Sequence, residues 1–234
     1  MKRIILIAAC IMVALPCIVP AVTTETATTR DPKYPAIWFE AVPKDKVAWW
    51  EVPPQAAGPG EVILSKRNEL GILSNFANTT FTLDGKTYPG IEGFWQMMLY
   101  PESADDPRTS APGVEWKYTR DQVAQMVGFE AKAAGELASA NMKKMGINRV
   151  TYNGKRMDYY VPDKGDHYNL IVRATRAKLE QNPEVKRILL ATGDLKLRPD
   201  HTQPADAPPS WRYFEIYMQL RDELRKSKPA LTPQ

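Results

Sequence analysis

Apolar and polar positions fall into helical spacing along much of the chain. From Asp166 to Gln181, Leu170, Ile171, Ala174 and Ala177 face one way and Arg173, Arg176 and Glu180 the other, which predicts an amphipathic helix. Asn182-Pro183 restarts a helix through about Leu190, with Pro183 suited to its first position. Phe129 to Met145 is Ala-rich and predicts a helix that Gly146 ends, while Thr119-Arg120-Asp121 caps a shorter one through about Val127. Glu92 to Tyr100 also reads as helical. From Trp211, the spacing Trp211, Phe214, Met218, Arg221 and Leu224 describes a last amphipathic helix. The strands are short. Glu61 to Lys66 alternates with Val62 and Leu64 on one side, and Thr80–Tyr88 and Val150–Tyr160 each fold about a tight-turn pair, Asp84-Gly85 and Asn153-Gly154. Residues 101–113, with three prolines, and 193–209, polar and Pro-rich, predict irregular connections. No internal repeat is present. Helices dominate and strands come as hairpins, so the class is α+β: a predominantly helical single domain with small antiparallel hairpins, not a parallel βαβ fold.

The first residues change how the rest is read. Lys2 and Arg3 precede an uncharged apolar run, Ile4 to Val19, short for a membrane span and suited to a signal-peptide core. Val19-Pro20-Ala21 places cleavage after Ala21; lipoprotein processing at Cys10, after Ile7-Ala8-Ala9, and an uncleaved anchor are the alternatives. Residues 1–21 are therefore expected to leave, taking both cysteines, Cys10 and Cys17, and to direct a protein without a membrane span to the periplasm or outside the cell. Residues 22–60 form an arm with a Thr-rich start, then Trp38, Phe39, Trp49 and Trp50 among prolines. Aromatics at that density predict a strap over the domain. Ala56-Ala57-Gly58-Pro59-Gly60 marks its end, and the main domain spans 61–228.

Composition mostly excludes. The 31 Lys and Arg against 27 Asp and Glu leave a net charge of +4, too small an excess to imply a nucleic-acid coat. Two histidines, and no cysteine after cleavage, argue against a zinc site and against thiol chemistry. No cofactor or metal is implied. Walker, GxGxxG, HExxH and GxSxG motifs are all missing.

Two stretches lodge polar residues beside apolar ones. The first is Leu73-Ser74-Asn75-Phe76, followed by Tyr88-Pro89-Gly90-Ile91-Glu92-Gly93-Phe94-Trp95-Gln96. The second is Leu190-Ala191-Thr192-Gly193-Asp194, followed by Pro199-Asp200-His201 and Trp211. With Gly71, Ala177-Lys178-Leu179 and Arg221-Asp222-Glu223-Leu224, this ordered set resembles the NADAR, or YbiA-like, family of N-glycosidases over about residues 61–226. The chain departs from the family pattern at Gly93, where His is frequent, at Leu99, where Lys is common, and at Trp211-Arg212-Tyr213-Phe214-Glu215, which replaces a Gly-rich stretch. The resemblance implies a YbiA-like fold and a hydrolase cleaving an N-glycosidic bond in a ribosyl-phosphate or ADP-ribosyl compound. A small-molecule substrate or an ADP-ribosylated one both fit it. The competing class is a non-catalytic nucleotide or ADP-ribose binding protein of the cell envelope.

Breaking an N-glycosidic bond builds positive charge on the ribosyl carbon, which a carboxylate stabilises while a second group assists the leaving base. The resemblance assigns the first role to Glu92, expected to be held ionised by backbone N–H groups at a helix start; position alone makes it an ordinary first-turn acid. Asp200 is the partner acid or a solvated loop residue, and His201 a proton donor or an exposed loop histidine. Asn75 bonds a ribose hydroxyl or base edge, or holds its own turn. Phe76, Trp95 and Trp211 offer stacking surfaces that core packing would equally explain, and Gln96 joins the binding set. Arg149, Lys155 and Arg156 read as a solvated cluster, and His167 as a helix cap or surface residue.

Overall fold

The structure, a computed structural model, describes residues 31–227. The expected signal segment and the Thr-rich start of the arm lie outside the described residues. Among the described residues, six α-helices run in the order α1 (Ile91–Met97), α2 (Arg120–Ala124), α3 (Gly128–Met145), α4 (Asp166–Gln181), α5 (Pro183–Ala191) and α6 (Tyr213–Lys226). Two antiparallel hairpins join β2 (Phe81–Leu83) to β3 (Lys86–Tyr88) and β4 (Arg149–Tyr152) to β5 (Lys155–Asp158). Their turns place Asp84-Gly85 and Asn153-Gly154 at positive φ, as a two-residue turn that matches strand twist requires. The class is α+β.

One pairing departs from the hairpin expectation. β1 (Glu61–Ile63) lies parallel to β6 (Lys196–Arg198), with Val62 opposite Leu197. β6 falls inside the stretch expected to be irregular, because three residues are too few to show a period. Leu197 and Val62 are both fully buried, so packing against the core sets the pair where local pattern cannot.

Helix α4 runs through the middle, touching β2, β5, α1, α5 and α6. Leu170, Ile171 and Ala174 fill the core, as spacing predicted, and Leu179 joins them, whereas Ala177 is only half-buried. So does Lys178, fully buried, its ammonium donating to the carbonyls of Ile72 (2.8 Å) and Ser74 (3.0 Å) and so tying α4 to the Ser74-Asn75-Phe76 turn. Burial pulls its pKa down to about 7. The unfolded chain then holds the extra proton between that value and 10.5, so stability should rise with pH across this window. Lys178→Met is expected to flatten the rise, measured by urea unfolding at two pH values inside it.

The inner face of α6 is rotated from the one expected. Tyr213, Ile216, Tyr217 and Leu220 are buried, Phe214 and Met218 only half so, and Trp211 sits in a 3-10 turn before the helix. Arg221 is also buried and donates to Thr192 Oγ1 (2.7 Å) and the Leu195 carbonyl (2.9 Å), pinning α6 to the α5–β6 turn. Two other arginines complete α1. Its last carbonyls lack intrahelical partners. Arg108 donates to Met98 and Leu99, and Arg120 to Met97 and Tyr100. Asp106 holds the Arg108 guanidinium in place (2.7 Å), which orders the Pro-containing loop.

The arm crosses this body as a strap. Trp38 is fully buried and donates its indole N–H to Glu69 (2.8 Å), while Trp49 is almost fully exposed. Farther along, Val52 N–H donates to the Asp200 carbonyl (2.8 Å), Glu51 bridges to His201 in the backbone, and the Glu51 carboxylate takes two bonds from Arg67.

Candidate functional site

Glu92 is the second residue of α1. Gly90, Gly93 and the surrounding turns bring its helix tightly in. A Cβ on Gly93 would lie 2.2 Å from the Met126 carbonyl, so no larger residue fits where α1 meets the end of α2. Glu92 N–H donates to the Asn75 carbonyl (3.0 Å), and its carboxylate accepts from Gln96 Nε2 (2.8 Å), one turn on. That is the carboxylate's one hydrogen bond among the described residues. The expected backbone N–H groups do not reach it, and it is 6 % exposed. Burial therefore raises its pKa, with Gln96 and the charges of Lys132, His201 and Lys66 opposing the shift. Desolvation is the largest influence on Glu92 and sets the upward direction of its pKa, against the ionised acid expected at a helix start.

Gln96 is positioned by what α3 lacks. A Cβ on Gly135 would stand 1.8 Å from Gln96 Oε1, so the amide lies directly on the helix backbone. Gly135→Ala is expected to leave stability unchanged or raise it by up to about 1 kcal/mol through helix propensity. The swung-out Gln96 would take away the one hydrogen bond to the Glu92 carboxyl group and so push its pKa further up. Thermal unfolding beside a pH titration of Glu92 checks the two effects separately.

Asp200 lies two residues beyond β6 and Lys66 three beyond β1, so the parallel pair sets them side by side. Lys66 Nζ lies 2.8 and 2.6 Å from the two carboxylate oxygens. His201 Nδ1 is 3.3 Å from one of them, and its ring stacks on Tyr213. Burial alone would raise Asp200, but the bonds and charges of His201 and Lys66 outweigh it and hold the carboxylate below its ordinary value. The Tyr213 hydroxyl, buried near both carboxylates, is kept protonated. Two carboxyl groups with opposite pKa directions thus share one neighbourhood.

The remaining candidates divide. Asn75 is half-buried, and its side chain has no hydrogen-bond partner among the described residues, so it is not spent on its own turn. Phe76 packs edge-on to Phe129. Trp95 is 5 % exposed and donates to Tyr159 Oη (3.0 Å), placing it in the core beneath the site. Trp211 stands over Tyr159 and Tyr160, and its indole N–H, buried, makes no hydrogen bond among the described residues. His167 corrects its expected surface position: it is buried between Trp95 and Tyr159, and burial lowers its pKa to about 4. An apolar clamp on both sides of the ring outweighed its polarity. Leu99 is fully buried away from solvent, and Lys155 of the hairpin cluster is spent on Asp166 (2.7 Å).

Sequence reading did not single out Lys66, Tyr159 or Tyr213. A lysine at a strand end reads as solvated, and only its partner Asp200, 134 positions away, reveals it. His201 also walls a surface cleft of about 350 Å³ with Arg198 and Arg212. Neither carboxylate lines it, and its cations are committed: Arg198 to Glu61, Arg212 to Glu215 and two carbonyls.

No family model and no curated protein matches the chain. A solved structure does. The chain is similar to the E. coli protein YbiA in its NMR structure, with a TM-score of 0.42 and 21 % identity over 73 % of this chain and 87 % of that one. Among the described residues, no three His, Cys, Asp or Glu side chains gather as a metal-binding set, and no helix is long and apolar enough to cross a membrane.

Proposed function

We propose that the protein is an exported hydrolase of N-glycosidic bonds in a ribosyl-phosphate or ADP-ribosyl compound. One observation carries this reading: two buried carboxyl groups from distant segments, Glu92 and Asp200, both lie within the electrostatic reach of Lys66 and His201, with their pKa values pushed in opposite directions. Such a split is how one site supplies both an acid and a base at one pH. Glu92, which burial keeps protonated to higher pH, delivers a proton to the leaving base. Asp200, held ionised by Lys66 and His201, offers negative charge to the ribosyl carbon as the bond lengthens. This exchanges the two roles assigned from the sequence, because burial pushes the Glu92 pKa up while Lys66 and His201 hold that of Asp200 down.

Asn75, with an uncommitted amide, serves a ribose hydroxyl or base edge, and Trp211 with its unpaired indole N–H flanks the site through Tyr159. Gln96 acts as a positioning residue for Glu92. The apolar run behind Lys2 and Arg3 supports export. Purified protein incubated with a panel of nucleosides, nucleotides and ADP-ribosyl compounds should release free base and a reducing sugar from one class. Binding without release would turn the reading into a nucleotide or ADP-ribose binder.

A further inference from the structure

We infer that the strap supplies a wall of the site: Trp50, with Phe76 and Phe129, forms an aromatic box that takes the planar heteroaromatic base of the substrate. The inference rests on the glycosidase reading for its placement, but on separate residues for its content. Trp50 and Phe129 stand 5.6 Å apart at 62°, and Phe76 and Phe129 5.0 Å apart at 84°. Lys66 Nζ lies 5.1 Å over the Trp50 ring and 5.0 Å over the Phe76 ring, so both rings turn a face to the ammonium that Asp200 holds. Phe129 is 60 % exposed, and Trp50 and Phe76 are half-buried, which leaves an aromatic edge open to water.

Sequence neighbours and the Lys66 ammonium link the box to the carboxyl groups. Phe76 follows Asn75, whose carbonyl binds Glu92 N–H. Lys132, one turn beyond Phe129, acts on the Glu92 carboxyl, as Lys66 does. Aromatic faces beside the Asn75 amide suit a flat ring with polar edges, which is the chemistry of a purine or pyrimidine base, while Lys66 and Lys132 stay paired with Asp200 and Glu136. Trp50 is fixed for this duty, because Glu51 beside it is clamped by Arg67 and Val52 bonds the Asp200 backbone. The strap thereby sets which base is accepted, while the domain supplies the chemistry.

Calorimetric titration of the full chain with guanosine, uridine and ribose 5-phosphate tests this. Trp50→Ala should weaken nucleoside binding roughly ten- to hundredfold and leave ribose 5-phosphate binding unchanged, whereas Trp50→Phe should keep most of the affinity. Phe129→Ala, at an exposed position that folding tolerates, should lower nucleoside affinity in the same direction should Trp50→Ala fail to fold. Nucleoside affinity unchanged in both alanine variants, or equal losses for ribose 5-phosphate, overturns the box. The two readings separate cleanly: Trp50-dependent nucleoside binding without any turnover removes the glycosidase and keeps the box. Turnover with base binding indifferent to Trp50 and Phe129 does the reverse.

Discussion

Glu92→Gln should slow hydrolysis of an unactivated N-riboside by about 10²- to 10⁴-fold, the usual contribution of a positioned proton donor. Glutamine keeps the volume of the side chain but has no proton to give to a leaving base. The same variant should cleave 4-nitrophenyl riboside at close to the parental rate, since that leaving group departs without a proton. In the parent, kcat/KM should fall as pH rises through the raised Glu92 pKa, and in the variant that limb should vanish. Stability supplies an independent sign. A carboxyl group whose folded pKa is raised gives its full stability below the unfolded value and loses it as pH climbs through the folded one. Glu92→Gln should therefore match the parent near pH 4 and be more stable near pH 8, by thermal unfolding. If the folded variant hydrolyses ordinary ribosides at the parental rate, Glu92 is structural and the acid lies elsewhere.

Arg108→Met should destabilise the fold by about 3–5 kcal/mol, the range for breaking a buried charge pair from one side. Arg108 is 2 % exposed, and its loss takes the guanidinium from Asp106, which keeps only backbone N–H partners, and from the Met98 and Leu99 carbonyls and the Thr151 hydroxyl. For a domain of this size each kcal/mol moves the melting temperature by roughly 2–4 °C, so a fall near 10 °C is expected. Arg108 braces the C-terminal end of α1, so the loss should also reach Glu92 at the other end. A change below 1 kcal/mol would show that Arg120 alone caps the helix.

The parts of the fold legible in the sequence are those whose cause is local. Apolar spacing placed α4 and α5, the capping Thr119 and the terminal Gly146 bounded α2 and α3, and Asp84-Gly85 and Asn153-Gly154 fixed the hairpins. What stayed hidden depends on distant partners. β6 has three residues and no period, and it is a strand because β1 lies alongside. His167 looked superficial until Trp95 and Tyr159 enclosed it. At the candidate site, the motif residues proved to hold one another: Lys178 grips the Ser74 carbonyl, Arg221 grips Thr192, and Asn75 grips the Glu92 backbone. Lys66 and Trp50 had no such motif to announce them, since each matters only through Asp200 and its neighbours.

The parallel pairing of β1 with β6 also governs the order in which the protein becomes complete. It joins segments separated by almost the whole domain, so the chain closes a very long loop before that contact repays the entropy of closure. Helices and hairpins of low contact order can form earlier, but none of them brings Lys66 to Asp200. A chain still emerging from its N-terminal end carries Glu92 long before the segment that answers it. On the glycosidase reading, the neighbourhood of Glu92 and Asp200 is thus a late product of folding, closed by the same seam that finishes the domain, and a truncated or half-threaded chain would lack it.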